Sequence, residues 1–126
     1  RRTGDFVRSL IEAGQITACH DLSDGGLLVA LAEMALSGDL GAQITLPDGV
    51  HATAFLFGED QARYLVTTGD AAQLATAARD TGVPALVLGT CGGGEIAVDG
   101  HGGISLVDLR TIHEGWMPAF MAAPGA

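Results

Sequence analysis

Lysine is absent from this 126-residue sequence, and all six basic residues are arginines: Arg1, Arg2, Arg8, Arg63, Arg79 and Arg110. That absence excludes a phosphate-cradling P-loop lysine, a Schiff-base lysine and a lysine general base anywhere on the chain. Positive charge is scarce altogether, with fifteen acidic residues giving a formal net charge of −9. A nucleic-acid face is disfavoured, because neutralising several phosphates needs clustered cations. An anionic membrane surface is disfavoured for the same reason. No apolar run approaches the roughly 18 residues of a membrane-spanning helix, and no basic-then-apolar leader opens the sequence. Cysteine is limited to Cys19 and Cys91, too few and too far apart for a zinc framework. Both fall in apolar, strand-like runs and are expected to be buried free thiols, as in a cytoplasmic protein. Proline occurs only four times.

What is abundant is glycine, with 19 residues, and apolar side chains, at 48%. Together they predict one globular domain over 1–126 with many tight turns. The abrupt start, Arg1-Arg2-Thr3-Gly4 running straight into a helical pattern, reads like a cut from something longer.

Along the chain, Asp5 is expected to cap a helix to about Ala13, stopped by Gly14. Ile16 to Leu22 reads as a buried strand. Ser23-Asp24-Gly25-Gly26 breaks it, and Leu27 to Leu36 follows as a largely buried helix. Gly41 to Leu46 reads as a strand turning at Pro47-Asp48-Gly49. Ala54 to Gln61 reads as a short helix or turn before a strand from Tyr64 to Thr68. Asp70 caps a helix to about Asp80. Val83 to Gly89 and Glu95 to Val98 read as strands, with Gly92-Gly93-Gly94 between them as a flexible connection. Asp99-Gly100 turns a hairpin toward Ile104-Ser105-Leu106. A helix from about Val107 to Phe120 precedes a disordered tail, Ala122 to Ala126. Alternating elements with a hairpin near the end fit an α+β or mixed-sheet sandwich better than a doubly wound sheet.

The densest polar group is His20-Asp21-Leu22-Ser23-Asp24-Gly25-Gly26. Strand alternation puts Cys19 and Asp21 on one face and His20 and Leu22 on the other, with Asp21 at the rim of a site at the strand's carboxyl end. Ser23 or Asp24 can cap the next helix, free N–H groups at Gly25 and Gly26 can receive an anion, and a carboxylate here can hold Mg²⁺ against phosphate oxygens. The plainer alternative is an Asp-Gly-Gly turn with a good cap. In the second cluster, Glu59-Asp60-Gln61-Ala62-Arg63, Glu59 and Gln61 point the same way if extended, pairing an acceptor with an amide that donates and accepts. The plainer alternative is a surface turn in which Arg63 neutralises Glu59 or Asp60. The four histidines, His20, His51, His101 and His113, show no metal spacing and no nucleophile-turn partner. Gly89-Thr90-Cys91-Gly92-Gly93-Gly94 lacks a following helix and is not a dinucleotide fingerprint. Trp116, the one tryptophan, sits in His113-Glu114-Gly115-Trp116-Met117-Pro118 as a packing anchor or an interdomain contact.

Three of these segments, in order, carry a resemblance. His20 to Leu27 with Ala30-Leu31-Ala32-Glu33-Met34-Ala35, then Leu56 to Arg63, then His113 to Pro118 together resemble the carboxyl-terminal domains of the phosphoribosylformylglycinamidine synthase family, within the aminoimidazole ribonucleotide synthetase superfamily. The likeness runs from about Gly4 to Met121. It implies an α+β, three-layer α/β/α sandwich with a mixed sheet, partly ferredoxin-like. It also implies one domain of a ligase that amidates formylglycinamide ribonucleotide with glutamine-derived ammonia, ATP activating the formamide oxygen as a phosphate ester and Mg²⁺ stabilising the charge. In such a synthetase two amino-type and two carboxyl-type domains form a pseudo-dimer, and this chain resembles the second carboxyl-type domain. By that likeness Asp21 is the metal-binding position. Ser23, Asp24, Gly25, Gly26, Glu59, Asp60 and Gln61 are substrate-binding positions of a pseudo-site, in which Asp60 replaces the family's serine and adds a charge that repels phosphate unless a metal intervenes. The catalytic histidine, the ATP-binding lysine and most metal ligands would lie on other domains, leaving no catalytic residue here and no tight binding of ATP or Mg²⁺ to this piece alone. The implied partners are the nucleotide-binding domains of the same synthetase, a glutaminase subunit and a small bridging subunit, in the cytoplasm. A different reading makes the domain a non-catalytic buttress of the pseudo-dimer, or part of another superfamily member.

Overall fold

The computed structural model describes residues 1–122. It divides into two compact units: Arg1–Met34 with Leu46–Leu88, and Ala35–Thr45 with the chain from Gly89 onward.

The first unit holds helix α1 (Arg2–Glu12), strand β1 (Ala18–Asp21), the start of α2 (Gly26–Gly38), α3 (Ala52–Phe57), β3 (Tyr64–Thr67) and α4 (Ala71–Asp80). Its buried side chains include Val7 and Leu10 of α1, Leu22, Leu27, Ala30, Leu31, Leu56, Ala78 and Val83. Helix α1 begins earlier than the sequence suggested: Asp5 lies in its first turn rather than at the cap, opposite Arg1 in an exposed pair at 3.9 Å. Gly14 does end the helix, at φ +65° with its N–H donating to the Ile11 carbonyl. Asp70 caps α4 as expected, Oδ1 accepting from the Gln73 N–H at 2.9 Å.

Strand β1 pairs antiparallel with β3 in a two-stranded ladder, with Cys19 opposite Val66 and Asp21 opposite Tyr64. The expected buried strand over Ile16 to Leu22 is therefore shorter and mostly exposed. A two-stranded ribbon has no neighbour on either edge, so its apolar sequence does not guarantee burial. Cys19 is exposed for that reason, against the expectation of a buried thiol.

The second unit holds the end of α2, β2 (Ala42–Ile44), β4 (Gly89–Cys91), β5 (Glu95–Val98), β6 (Gly102–Ser105) and α5 (Leu106–Ala122). Its sheet is mixed, in the order β4-β2-β5-β6, with β2 parallel to β5 and the other pairs antiparallel. Ala42, Ile44, Ile96, Val98 and Leu106 form its buried face. Helices with a mixed sheet make the chain α+β, as expected. No strand forms over Val83 to Leu88; pairing begins at Gly89. Pro84 has no N–H to give a ladder, and Leu86 and Val87 are exposed. Cys91, on the edge strand β4, is exposed too. The glycine connection is pinned rather than loose: the Gly41 N–H donates to Gly93 O at 2.9 Å and the Gly92 N–H to Gly41 O at 2.8 Å.

The hairpin between β5 and β6 turns at Asp99-Gly100 as expected, with Gly100 at φ +75°. Ser105 and Asp108 form a reciprocal cap for α5, the Asp108 N–H donating to Ser105 Oγ at 3.0 Å and that hydroxyl donating to Asp108 Oδ2 at 2.7 Å. Ala122, expected to begin the tail, is helical in α5, and the remaining residues of the expected tail, 123–126, lie outside the described residues.

Candidate functional site

The carboxyl end of β1, the turn into α2 and the loop after α3 surround a cleft of about 330 Å³ in the first unit. Its walls are Asp21, Leu22, Ser23, Asp24, Glu59, Gln61, Ala62, Arg63 and Tyr64. The two sequence clusters, more than thirty positions apart, thus meet through the β1–β3 pairing, which sets Asp21 opposite Tyr64, and through Leu22 N–H donating to Arg63 O at 3.0 Å.

Glu59 crosses to the start of α2, where its Oε1 accepts from the Gly25 N–H at 2.9 Å. The Gly26 N–H donates to Ser23 O at 3.1 Å. Both amides expected to be free for an anion are therefore occupied by this chain's own oxygens, and the carboxylate of Glu59 stands where an external anion would be received. Gly26 serves packing: at φ +69°, an added Cβ would come within 2.7 Å of the Phe57 carbonyl carbon.

Glu59 and Gln61 both face the cleft, as their spacing suggested. Asp60 does not line it and instead faces Arg63, Oδ2 to Nη1 at 3.5 Å. The same guanidinium approaches Gly58 O at 3.5 Å and lies 5.4 Å from the centre of the Phe55 ring. Arg63, itself a wall of the cleft, thus pairs with Asp60 rather than Glu59 and compensates the extra charge at position 60. Ala62 takes a left-handed conformation, φ +63°, which lets the loop turn between Gln61 and β3.

His20 does not line the cleft. Its Nδ1 lies 2.6 Å from the Asp21 carbonyl oxygen and its Nε2 lies 3.0 Å from Glu33 Oε2, so both ring nitrogens have partners within the fold. Cys19 shares the Asp21 face, as alternation requires: partial burial, then the Asp21 carboxylate, push its thiol above the ordinary value of 9.0. Such a thiol stays protonated near neutrality and is a poor nucleophile.

Three carboxylates, one amide, one phenol and one serine hydroxyl against a single engaged guanidinium make the cleft rich in acceptors. It suits donor-rich groups such as hydroxyls or amines, or a cation-bridged anion, and repels bare phosphate. Among the described residues no three His, Cys, Asp or Glu side chains converge on a metal position. Asp21 can offer one carboxylate, which matches the way Mg²⁺ is held by one or two carboxylates completed by phosphates. Among the described residues no helix is long and apolar enough to cross a membrane.

Tyr64, Leu22 and Ala62 were not foreseen as cleft residues. Tyr64 enters only through the β1–β3 register, which the alternating pattern of either strand does not disclose.

The chain belongs to the family described as AIR synthase related protein, C-terminal domain, whose model matches residues 1–100. It is 56% identical over 124 residues to phosphoribosylformylglycinamidine synthase subunit PurL of Rhodospirillum rubrum, covering 97% of this chain and 17% of that protein. It is 52% identical over 125 residues to the subunit of the same name in Parvibaculum lavamentivorans, covering 98% and 17%. The chain spans about one sixth of the length of these curated relatives. Among solved structures, Thermotoga maritima PurL complexed with FGAR superposes with a TM-score of 0.71 at 20% identity, over 86% of this chain and 20% of that one. The same protein complexed with ATP gives 0.70 at 20% identity, over 86% and 21%. At that identity the likeness establishes the shared fold.

Proposed function

We propose that this chain is the carboxyl-terminal synthetase-type domain of a phosphoribosylformylglycinamidine synthase, a ligase of purine biosynthesis that acts in the cytoplasm. The observation that carries the reading is the 56% identity maintained over nearly the whole chain. The assembled enzyme converts formylglycinamide ribonucleotide to the amidine: ATP phosphorylates the formamide oxygen, ammonia from glutamine forms the new C–N bond, and that oxygen leaves with phosphate. ATP and Mg²⁺ are cofactors of the whole enzyme; the solved complexes of Thermotoga maritima PurL with ATP and with FGAR support the ATP and substrate parts of this reading. The nucleotide-binding domains of the same polypeptide, a glutaminase subunit and a small bridging subunit are its partners. A solved assembly of a relative, PurLQS, supports a multi-subunit enzyme.

Within that enzyme this domain supplies no catalytic residue. The absence of lysine and the engagement of His20 by Asp21 and Glu33 favour this part of the reading. The cleft is a pseudo-site: Ser23, Asp24, Glu59 and Gln61 face the bound ligand, Gly25 holds Glu59 in place, Gly26 keeps α2 close to the loop, and Asp60 balances Arg63. Asp21 would supply a carboxylate to hold a Mg²⁺, which would offset negative charge on a phosphate brought to the cleft.

The test is the double variant Asp21→Asn, Glu59→Gln in the full synthetase. Glutamine can still accept from the Gly25 N–H, so thermal unfolding should stay unchanged. Ammonia- and ATP-dependent amidation, or nucleotide retained on purification, should fall about tenfold or more, the usual scale for removing a supporting metal or ligand contact. Full activity with full nucleotide retention would instead make the domain a structural buttress. Amidation by the 126 residues alone would contradict the absence of catalytic groups.

A further inference from the structure

Helix α5 leaves the second unit's core almost at once: Leu106 is buried, whereas residues 111–122 are all exposed. Leu109, Ile112, Trp116 and Phe120, spaced three, four and four residues apart, fall on one face of the helix. Ile112 is 67% exposed, Trp116 62% and Phe120 49%, and the last two rings stack with centroids 5.3 Å apart. Met117 and Met121 flank them and are exposed as well. Tryptophan, phenylalanine and methionine are the residues enriched at the cores of protein interfaces, and a contiguous apolar face of this kind marks an interaction site.

The base of the helix is fixed. Arg110 donates to Glu114 Oε1 at 2.9 Å, to Leu36 O at 3.0 Å and to Asp39 Oδ1 at 3.1 Å, tying α5 to the end of α2. The stripe is therefore presented on a positioned element.

We infer that this face of α5 docks against another part of the same, longer polypeptide; the inference rests on the reading of the chain as one domain of a synthetase. Two observations select that occupant. The chain matches only 17% of its relatives' length, so most of such a polypeptide lies outside it and is tethered to it. Tethering raises the effective concentration to the millimolar range, which a separate subunit does not enjoy. A second copy is disfavoured because each copy brings a net charge of −9 to the contact. The matching surface on the occupant is an apolar groove able to receive two stacked aromatic rings.

The experiment uses the full-length native polypeptide that contains this chain, with Trp116 or Phe120 replaced by photoreactive benzoylphenylalanine and Thr111 replaced as a control. Mass spectrometry of the irradiated protein should find cross-links from positions 116 and 120, and few from 111, to peptides of the same polypeptide outside these 126 residues. Their yield should not change over a hundredfold dilution. Cross-links that vanish on dilution would assign the face to a second copy. Links that need an added subunit would assign it to that subunit, and links confined to these 126 residues would remove the docking site; each overturns the inference. Amidation measured on the same sample separates the two ideas: activity without the cross-link defeats the docking alone, and the cross-link without activity defeats the assigned reaction alone.

Discussion

The cleft of the first unit and the hairpin of the second both gather acidic and amide side chains, but they satisfy them differently. At the hairpin, both oxygens of Asp99 are used by the fold: Gln43 Nε2 donates to Oδ1 at 2.9 Å and Thr45 Oγ1 to Oδ2 at 2.6 Å. At the cleft, Glu59 holds one backbone amide, while Asp21, Asp24 and Gln61 line open space. The same residue types thus act as ties within the fold in one place and line an open cleft in the other. What distinguishes them is the number of lone pairs and donors the chain leaves unspent.

The sharpest way to break this contrast is at Gly26, where the cleft depends on α2 starting against the Phe57-Gly58 backbone. Gly26→Ala forces a side chain into a left-handed conformation and against backbone atoms at 2.7–2.9 Å that cannot rotate away. Strain of about 1–2 kcal/mol and overpacking of about 1–3 kcal/mol should together lower stability by about 2–5 kcal/mol in denaturant titration. Gly49→Ala is the control: φ is +76° but nothing lies within 4 Å of the added Cβ, so only the strain, about 1–2 kcal/mol, should remain. Equal losses at the two sites would remove the close approach as the reason for glycine at 26.

A smaller effect tests whether the second unit's sheet stands on its own core. Ile96 is buried on β5 between β2 and β6. Ile96→Val should cost about 1 kcal/mol. Amide exchange should quicken at residues 42–44 and 95–98 more than at 64–67. Uniform loss of protection would show that the two units open as one.

The elements whose signals are local were the legible ones. Asp70 with α4, Gly14 after α1 and the Asp99-Gly100 hairpin each rest on a cap or turn residue next to the element it ends or starts. The start of α5, expected at about Val107 and found at Leu106, is also written locally, as Ser105 and Asp108 three apart. Burial was not legible where it depends on sheet width. Ile16 to Leu22 reads like a core strand, yet pairing with β3 alone leaves it open and exposes Cys19. The site was half legible. Asp21, Glu59 and Gln61 stood out by residue type and spacing, and the resemblance placed them together. That Glu59 would fill the helix start, and that Asp60 would turn to Arg63, are consequences of tertiary geometry that composition cannot encode.

The finest comparison is between the two kinds of carboxylate under acid. The hydrogen bonds from Thr45 and then Gln43 hold the Asp99 carboxyl below its ordinary value of 3.8. A carboxyl depressed in the folded state stabilises the fold at pH values above its unfolded pKa, and that contribution disappears as pH falls through the folded pKa. The stability gap between the native chain and Asp99→Asn should therefore be full at neutral pH, begin to narrow near pH 4 and close below it, as followed by denaturation midpoints from pH 7 to pH 2.5. Asp99→Asn should leave ligand retention by the full synthetase untouched. Asp21→Asn should instead lower that retention. A gap at Asp99 that persists unchanged at pH 2.5 would mean that the side-chain shape, and not the ionised oxygens, ties β2 to the hairpin, and the distinction between spent and unspent carboxylates would then fail at the residue where it is most fully spent.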